Sequence, residues 1–149
     1  MEERFQTFTL LISKITRCIR KIKSEEMREY DLKTPHVSCL YYLYINNAPM
    51  TATELVEMCD EDKAAISRSI EYLENNGFLI CDSKSEKRYK SPIFLTEKGR
   101  KVGGEIIKKI NNVLKFSNQG LSDDDLNKFY KGLSLISENL KNICDKYGE

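Results

Sequence analysis

The chain has 149 residues, 40% of them hydrophobic and 32% charged, and 24 Lys+Arg oppose 23 Asp+Glu for a net charge of +1. That length suits one domain with a core of its own. The near-neutral balance excludes a uniformly basic nucleic-acid coat but leaves room for a local basic surface.

The N-terminus, Met1-Glu2-Glu3-Arg4, is mixed in charge and has no signal-peptide pattern. No apolar run approaches a membrane span, so a cytoplasmic protein without a membrane partner is expected. The first segment places Phe5, Phe8, Ile12, Ile15, Ile19 and Ile22 at alternating steps of three and four. This is a coiled-coil-like stripe, widened by Leu11 and Cys18, and it predicts a helix from about Glu3 to Tyr30. Thr34 as N-cap and Pro35 at the first helical position predict a second helix, Pro35 to Asn46. Val37, Cys39, Leu40, Leu43 and Ile45 with Tyr41, Tyr42 and Tyr44 make it apolar on nearly every side, which predicts a central position.

Thr51-Ala52-Thr53-Glu54 reads as a capping box that starts a short helix to about Cys59, burying Leu55, Val56 and Met58. After Asp60-Glu61-Asp62, a further helix runs to about Asn76. Ile66, Ile70 and Leu73 form its inner stripe, and Lys63, Ala64, Ser67, Arg68 and Glu71 its outer face. Asn75-Asn76-Gly77 supplies a left-handed stop. Phe78–Cys81 and Pro92–Leu95 read as two short strands of a hairpin with a polar tip. Thr96 caps a helix carrying Val102, Ile106, Ile107, Ile110, Val113 and Leu114. Ser122 with Asp125 starts a last helix, in which Leu126, Phe129, Leu133, Ile136, Leu140, Ile143 and Tyr147 repeat the three-four spacing.

Two short helices joined by a tight turn can place the second in a DNA major groove. Small residues at Ala64, Ala65 and Ser67 would let that backbone approach base edges, with Lys63 and Arg68 beside them. An amphipathic surface helix with a merely solvated face has the same pattern, and the helix alone does not separate the two. The hairpin does. Between Asp82 and Lys101 stand seven basic residues against three acidic ones, and Lys84, Lys87, Arg88 and Lys90 crowd the tip. A basic tip beside a groove-sized helix is the geometry of a wing that follows phosphates or enters the minor groove. A lysine loop that only discourages edge pairing is the alternative.

At this point the chain resembles the MarR family of winged helix-turn-helix regulators over nearly its whole length. Leu32–Leu40 resembles the approach into the family's second helix, with Lys33 and His36 where Thr and Gln are frequent. Thr53-Glu54-Leu55 resembles the start of the third helix. Asp62-Lys63-Ala64-Ala65-Ile66-Ser67-Arg68 resembles the recognition helix Asp-Lys-Ser-Thr-Val-Ser-Arg. Glu71–Leu79 resembles its continuation into the wing, and Leu95-Thr96-Glu97-Lys98-Gly99-Arg100 the wing-to-helix signature. The resemblance implies a mainly α fold with a small β-hairpin wing. Residues 32–100 would be the DNA-binding lobe, and residues 1–30 and 101–149 would supply dimerisation helices. It implies DNA contacts from Thr51, Thr53, Lys63, Ala64, Ala65, Ser67 and Arg68 in the helices and from Lys84, Lys87, Arg88 and Lys90 in the wing. Family members often carry Asp-Arg in the wing. Here Lys87 precedes Arg88, so the carboxylate that orients the arginine is missing or comes from another residue such as Glu86.

The implied function is sequence-specific binding of double-stranded DNA by a homodimer at a pseudo-palindrome, as a repressor released by a small aromatic effector. Tyr30, His36 and Tyr41, with Tyr42 and Tyr44, fall where such an effector would bind, or they are core and interface aromatics. A winged-helix module that binds protein, or a cysteine-based redox regulator, is the alternative. Cys18, Cys39, Cys59, Cys81 and Cys144 contain no CxxC and read as reduced thiols used as small hydrophobes. Some relatives sense peroxide through a first-helix cysteine, and Cys18 is in the first helix but lies late in it. With a single histidine, no GxSxG, no P-loop and no HExxH, neither an enzyme nor a cofactor or metal is expected.

Overall fold

The computed structural model describes residues 2–59, 61–82 and 90–147. The chain divides into two compact units, Met1–Ile110 and Asn111–Glu149. In chain order the elements are α1 (Glu2–Glu26), a 3-10 turn (Arg28–Tyr30), α2 (Thr34–Asn46), α3 (Ala52–Cys59), α4 (Lys63–Asn75), β1 (Leu79–Cys81), β2 (Ile93–Leu95), α5 (Glu97–Ser117) and α6 (Asp123–Asp145). This is the mainly helical fold with one small hairpin that the sequence predicts.

α2 is the centre of the first unit. Its Val37, Cys39, Leu40 and Leu43 are buried with Leu55 of α3, Ile66, Ile70 and Leu73 of α4, Leu79 and Ile93 of the hairpin, and Val102 and Ile106 of α5. The helix is less enclosed than its composition suggests, because Tyr44 and Ile45 near its end are exposed. The hairpin pairs Leu79 with Leu95, Ile80 with Phe94 and Cys81 with Ile93, antiparallel. A lone bridge from Met50 to Ile93 ties it to the segment before α3.

Three local expectations are corrected. The first helix does not reach Tyr30 but stops at Glu26. Met27 and Leu32 are both buried, and at roughly 100° per residue two positions five apart cannot face the core from one straight helix. The chain therefore turns, with Asp31 in the left-handed region at φ 55° and the Leu32 amide donating back to the Met27 carbonyl at 3.4 Å. Lys33, not Thr34, caps α2. Its amide donates to Nδ1 of His36 at 3.1 Å, which winds Thr34 into the first turn. Pro35 then sits one position further in, still among amides that have no intrahelical partner. In α3 the inward positions are Ala52, Leu55, Val56 and Cys59, so Met58 lies outside and is exposed.

The remaining caps form as the sequence predicts. Glu54 accepts the Thr51 amide at 2.6 Å and Thr51 Oγ1 accepts the Glu54 amide at 3.3 Å. In the second unit, Ser122 and Asp125 make the same reciprocal pair at 3.2 and 3.1 Å. The heptad-spaced residues are not enclosed in the single chain. Phe5, Ile15, Ile19 and Ile22 of α1 are exposed, as are Phe129, Ile136, Leu140 and Ile143 of α6.

Candidate nucleic-acid interface

α4 starts sharply because Asp62, in extended backbone, accepts the Ala65 amide on its carboxylate at 2.7 Å. An acceptor there satisfies an orphan donor of the first turn. The helix stops at Asn76, and Gly77 at φ 73° reverses the chain toward β1. Between these ends the inner positions Ile66, Ser69, Ile70 and Leu73 are buried. Lys63, Ala64, Ser67, Arg68 and Glu71 are exposed, as the sequence predicts, and Ala65 is half-buried at the edge of that face. Lys63 and Arg68 thus flank two small residues at the N-terminal half of a helix whose opposite face is fixed in the core. Near it, Thr53 is exposed and Thr51 is half-buried in its capping pair with Glu54. That hydrogen-bonded pair, through the Thr51 amide first, holds the Glu54 carboxyl below its usual value.

The hairpin is held at its root by contacts that the sequence does not advertise. Thr96 Oγ1 donates to the Gly77 carbonyl at 2.7 Å, and the Thr96 amide donates to the Phe78 carbonyl at 3.1 Å. Gly99 packs directly on this carbonyl, where a Cβ would lie 1.9 Å from the oxygen. Lys98 donates to the Asn76 carbonyl at 2.8 Å and lies 4.1 Å from the centre of the Phe78 ring. Glu74 accepts the Cys81 amide at 3.1 Å, which fastens β1 to α4. Among the predicted wing residues, Lys90 is exposed. Lys84, Lys87 and Arg88 lie outside the described residues.

A cavity of about 350 Å³ opens between α3, α4 and the hairpin. Val56, Ile66, Ile70 and Ile93 give it apolar walls, and Thr53, Lys63 and Ser67 are its polar lining. The aromatic group named in the sequence falls elsewhere. His36 stacks on Tyr72 of α4 with ring centres 4.2 Å apart and planes 8° from parallel. Tyr72 in turn donates to the Asp31 carbonyl at 2.9 Å. Burial, and then the Lys33 charge, push the His36 pKa below its ordinary value. Tyr30 and Tyr41 are half-buried against the same core, and Tyr41 meets Tyr42 edge to face. Tyr72 was not anticipated, because its spacing on α4 reads simply as a flank of the inner stripe.

No family model matches the chain. A curated relative, the HTH-type transcriptional regulator YfiV of Bacillus subtilis strain 168, itself uncharacterized, is 26% identical over 117 residues, which are 78% of this chain and 72% of the relative. Among solved structures, a MarR family transcriptional regulator of Listeria monocytogenes complexed with 26mer DNA superposes with a TM-score of 0.79 at 24% identity. The match covers 88% of this chain and 87% of that one. A MarR protein of Peptoclostridium difficile gives a TM-score of 0.81 at 20% identity, over 91% of this chain and 88% of its own. The fold is therefore shared with proteins named as transcriptional regulators, none of them named as an enzyme.

Proposed function

We propose that this chain, which has the fold of the MarR family regulators, is itself a transcriptional regulator that binds a specific double-stranded DNA site through α4. The observation that carries the reading is the exposed face of that helix, where Lys63 and Arg68 flank Ala64 and Ser67 on a helix capped at Asp62 and anchored by Ile66, Ile70 and Leu73. Small side chains let the backbone approach base edges, and arginine can bind guanine in two places at once. Thr51 and Thr53 stand beside the helix, and Lys84, Lys87, Arg88 and Lys90 supply the wing. The DNA bound to the Listeria structure supports the same reading.

The apolar faces left exposed on α1 and α6 support a homodimer, with residues 1–30 and 101–149 as its helices and 32–100 as the DNA-binding lobe. A twofold dimer would read a pseudo-palindrome with half-sites about one helical turn apart. Repression released by a small aromatic effector near Tyr30, His36 and Tyr41 completes the proposal. An effector there would extend the aromatic stack of His36 on Tyr72.

Selection of bound genomic fragments followed by footprinting tests the reading. Two protected half-sites are expected, and log K should fall by about 0.9 per neutralised phosphate for each unit of log salt. Arg68→Ala should cost about 1–3 kcal/mol on the selected site if the side chain reads a base. Retention of no fragment, or binding indifferent to salt, would refute it.

A further inference from the structure

Asn76, Gly77 and Phe78 join α4 to the hairpin, and their backbone groups divide between the two neighbouring helices. The amides point back into α4. That of Asn76 donates to the Tyr72 carbonyl at 3.0 Å, that of Gly77 to Glu74 at 3.0 Å and that of Phe78 to Leu73 at 2.8 Å. The carbonyls face the start of α5. Those of Phe78 and Gly77 accept from the amide and the hydroxyl of Thr96, and that of Asn76 accepts from Nζ of Lys98. Backbone amides and the short Thr96 side chain supply every one of these bonds except the last, whose donor stands on a flexible four-carbon stem.

Lys98 is exposed, and an ammonium in that position is ordinarily left to water or to a phosphate. Here two fixed features hold it. One is the Asn76 carbonyl at 2.8 Å, and the other is the Phe78 ring, centred 4.1 Å from Nζ in a side chain only 4% exposed. α4 has no basic residue in its own last turn, so Lys98 of α5 also supplies the positive charge that suits the negative end of that helix. Gly77 does not stiffen the joint. It is left-handed at φ 73°, with nothing within 4 Å of the place a Cβ would take, so neither a side chain nor a neighbour limits its rotation.

We infer that Lys98 is a positioning residue for the wing: through the Asn76 carbonyl and the Phe78 ring it fixes the angle between α4 and the β1–β2 hairpin, and so sets whether the wing reaches DNA while α4 lies in the major groove. The inference rests on the DNA-binding reading above. Lys98 acts through the hairpin and does not itself touch DNA, although by sequence its charge counts with the basic residues of that region. Removing the ammonium leaves both Thr96 bonds in place, so the hairpin stays attached but swings over a wider range about Gly77. Losing the bias of one charge-assisted hydrogen bond at the surface lowers the binding-competent fraction, and with it the affinity, by about fivefold.

The test is a double-mutant cycle on a selected DNA fragment, in which Lys98→Met is measured in the parent and in a background where Lys84, Lys87, Arg88 and Lys90 are all alanine, both at the same low salt concentration. Lys98→Met removes one surface interaction, so its Tm should fall by no more than about 4 °C and the variant is folded in the assay. It should weaken the parent about fivefold and the wing-neutralised protein by less than about 1.5-fold, because the second protein has no wing contact left to misplace. Lys98→Arg keeps a donor and a cation for the ring, and should stay within about twofold of the parent. An equal loss in both backgrounds would mean that Lys98 touches DNA itself or merely stabilises α4, and overturns the inference, as does full affinity in Lys98→Met.

Hydrogen exchange followed by mass spectrometry, without DNA, supplies a second readout. Lys98→Met should speed exchange of the Leu79–Cys81 and Ile93–Leu95 amides severalfold and leave α2 at the parent rate. Unchanged exchange in the hairpin, or the same acceleration throughout the lobe, overturns the inference. If the parent retains no DNA fragment, the function proposed above falls, and the exchange pattern alone decides whether Lys98 holds the hairpin.

Discussion

Asp62 tests whether the start of α4 is built as described. Its carboxylate accepts the Ala65 amide at 2.7 Å. Replacing an N-cap aspartate by alanine removes that acceptor, at a typical cost of about 1 kcal/mol. It also removes a negative charge from the positive end of the helix dipole, worth roughly 0.3–1 kcal/mol at an exposed site. Asp62→Ala should therefore lose about 1.5 kcal/mol. Asp62→Asn keeps an acceptor oxygen and should lose only about 0.5 kcal/mol, because asparagine caps about as well. At about 2–4 °C per kcal/mol for a chain of this size, Tm should fall by about 3–6 °C in the alanine variant and by about 1–2 °C in the asparagine variant. Urea denaturation followed by circular dichroism gives the free energies, and thermal melts followed in the same way give the Tm values. Each substitution removes the same charge near the DNA-facing surface, so any electrostatic gain in DNA affinity is common to the two, and the difference between them reports how well the first turn is held. Asparagine should bind DNA more tightly than alanine. Equal stability of the two variants within about 0.3 kcal/mol would refute the cap and the argument built on it.

The register of α3 predicts opposite outcomes for neighbouring residues: Leu55→Ala should cost about 2–5 kcal/mol in urea denaturation, while Met58→Ala should stay within about 0.5 kcal/mol. His36 has a folded-state pKa below its ordinary 6.5, so folding favours its neutral form. Its contribution is full above pH 6.5 and is lost as pH falls through the folded value. Between pH 7 and 5 the parent should therefore lose more stability than His36→Asn, and parallel stability–pH curves would remove the histidine from the account. If the stripe on α6 is a dimer face, Leu140→Glu should shift sedimentation from dimer toward monomer with helicity largely kept. A parent that already sediments as a monomer at micromolar concentration would rule that interface out.

Much of the fold is legible in residues whose physics is local. The pairs Thr51 with Glu54 and Ser122 with Asp125 mark helix starts because a side chain meets an amide three residues on. Ile66, Ile70 and Leu73 mark the inner side of α4 through periodicity alone. What stayed hidden depends on partners distant in sequence. The break at Met27 follows from the need to bury both Met27 and Leu32, and His36 finds its stacking partner in Tyr72 on another helix. Lys98 reads as one more basic residue of the wing region, yet its contacts with Asn76 and Phe78 make it a clamp on the hairpin root.

The hairpin root has a mechanical consequence. The Phe78 carbonyl takes the Thr96 amide and leaves no space for a Cβ at Gly99, while the Thr96 hydroxyl is tied to Gly77. A helix held at its first turn by a hydrogen bond, and pressed against the same oxygen one turn later, behaves as a keyed shaft. It cannot roll beneath the hairpin without breaking the bond or driving the glycine backbone into the carbonyl. A torque applied to the first turns of α5 is thus delivered to β1 and β2 as rotation instead of being lost as slack, and the key is cut by the absence of a side chain.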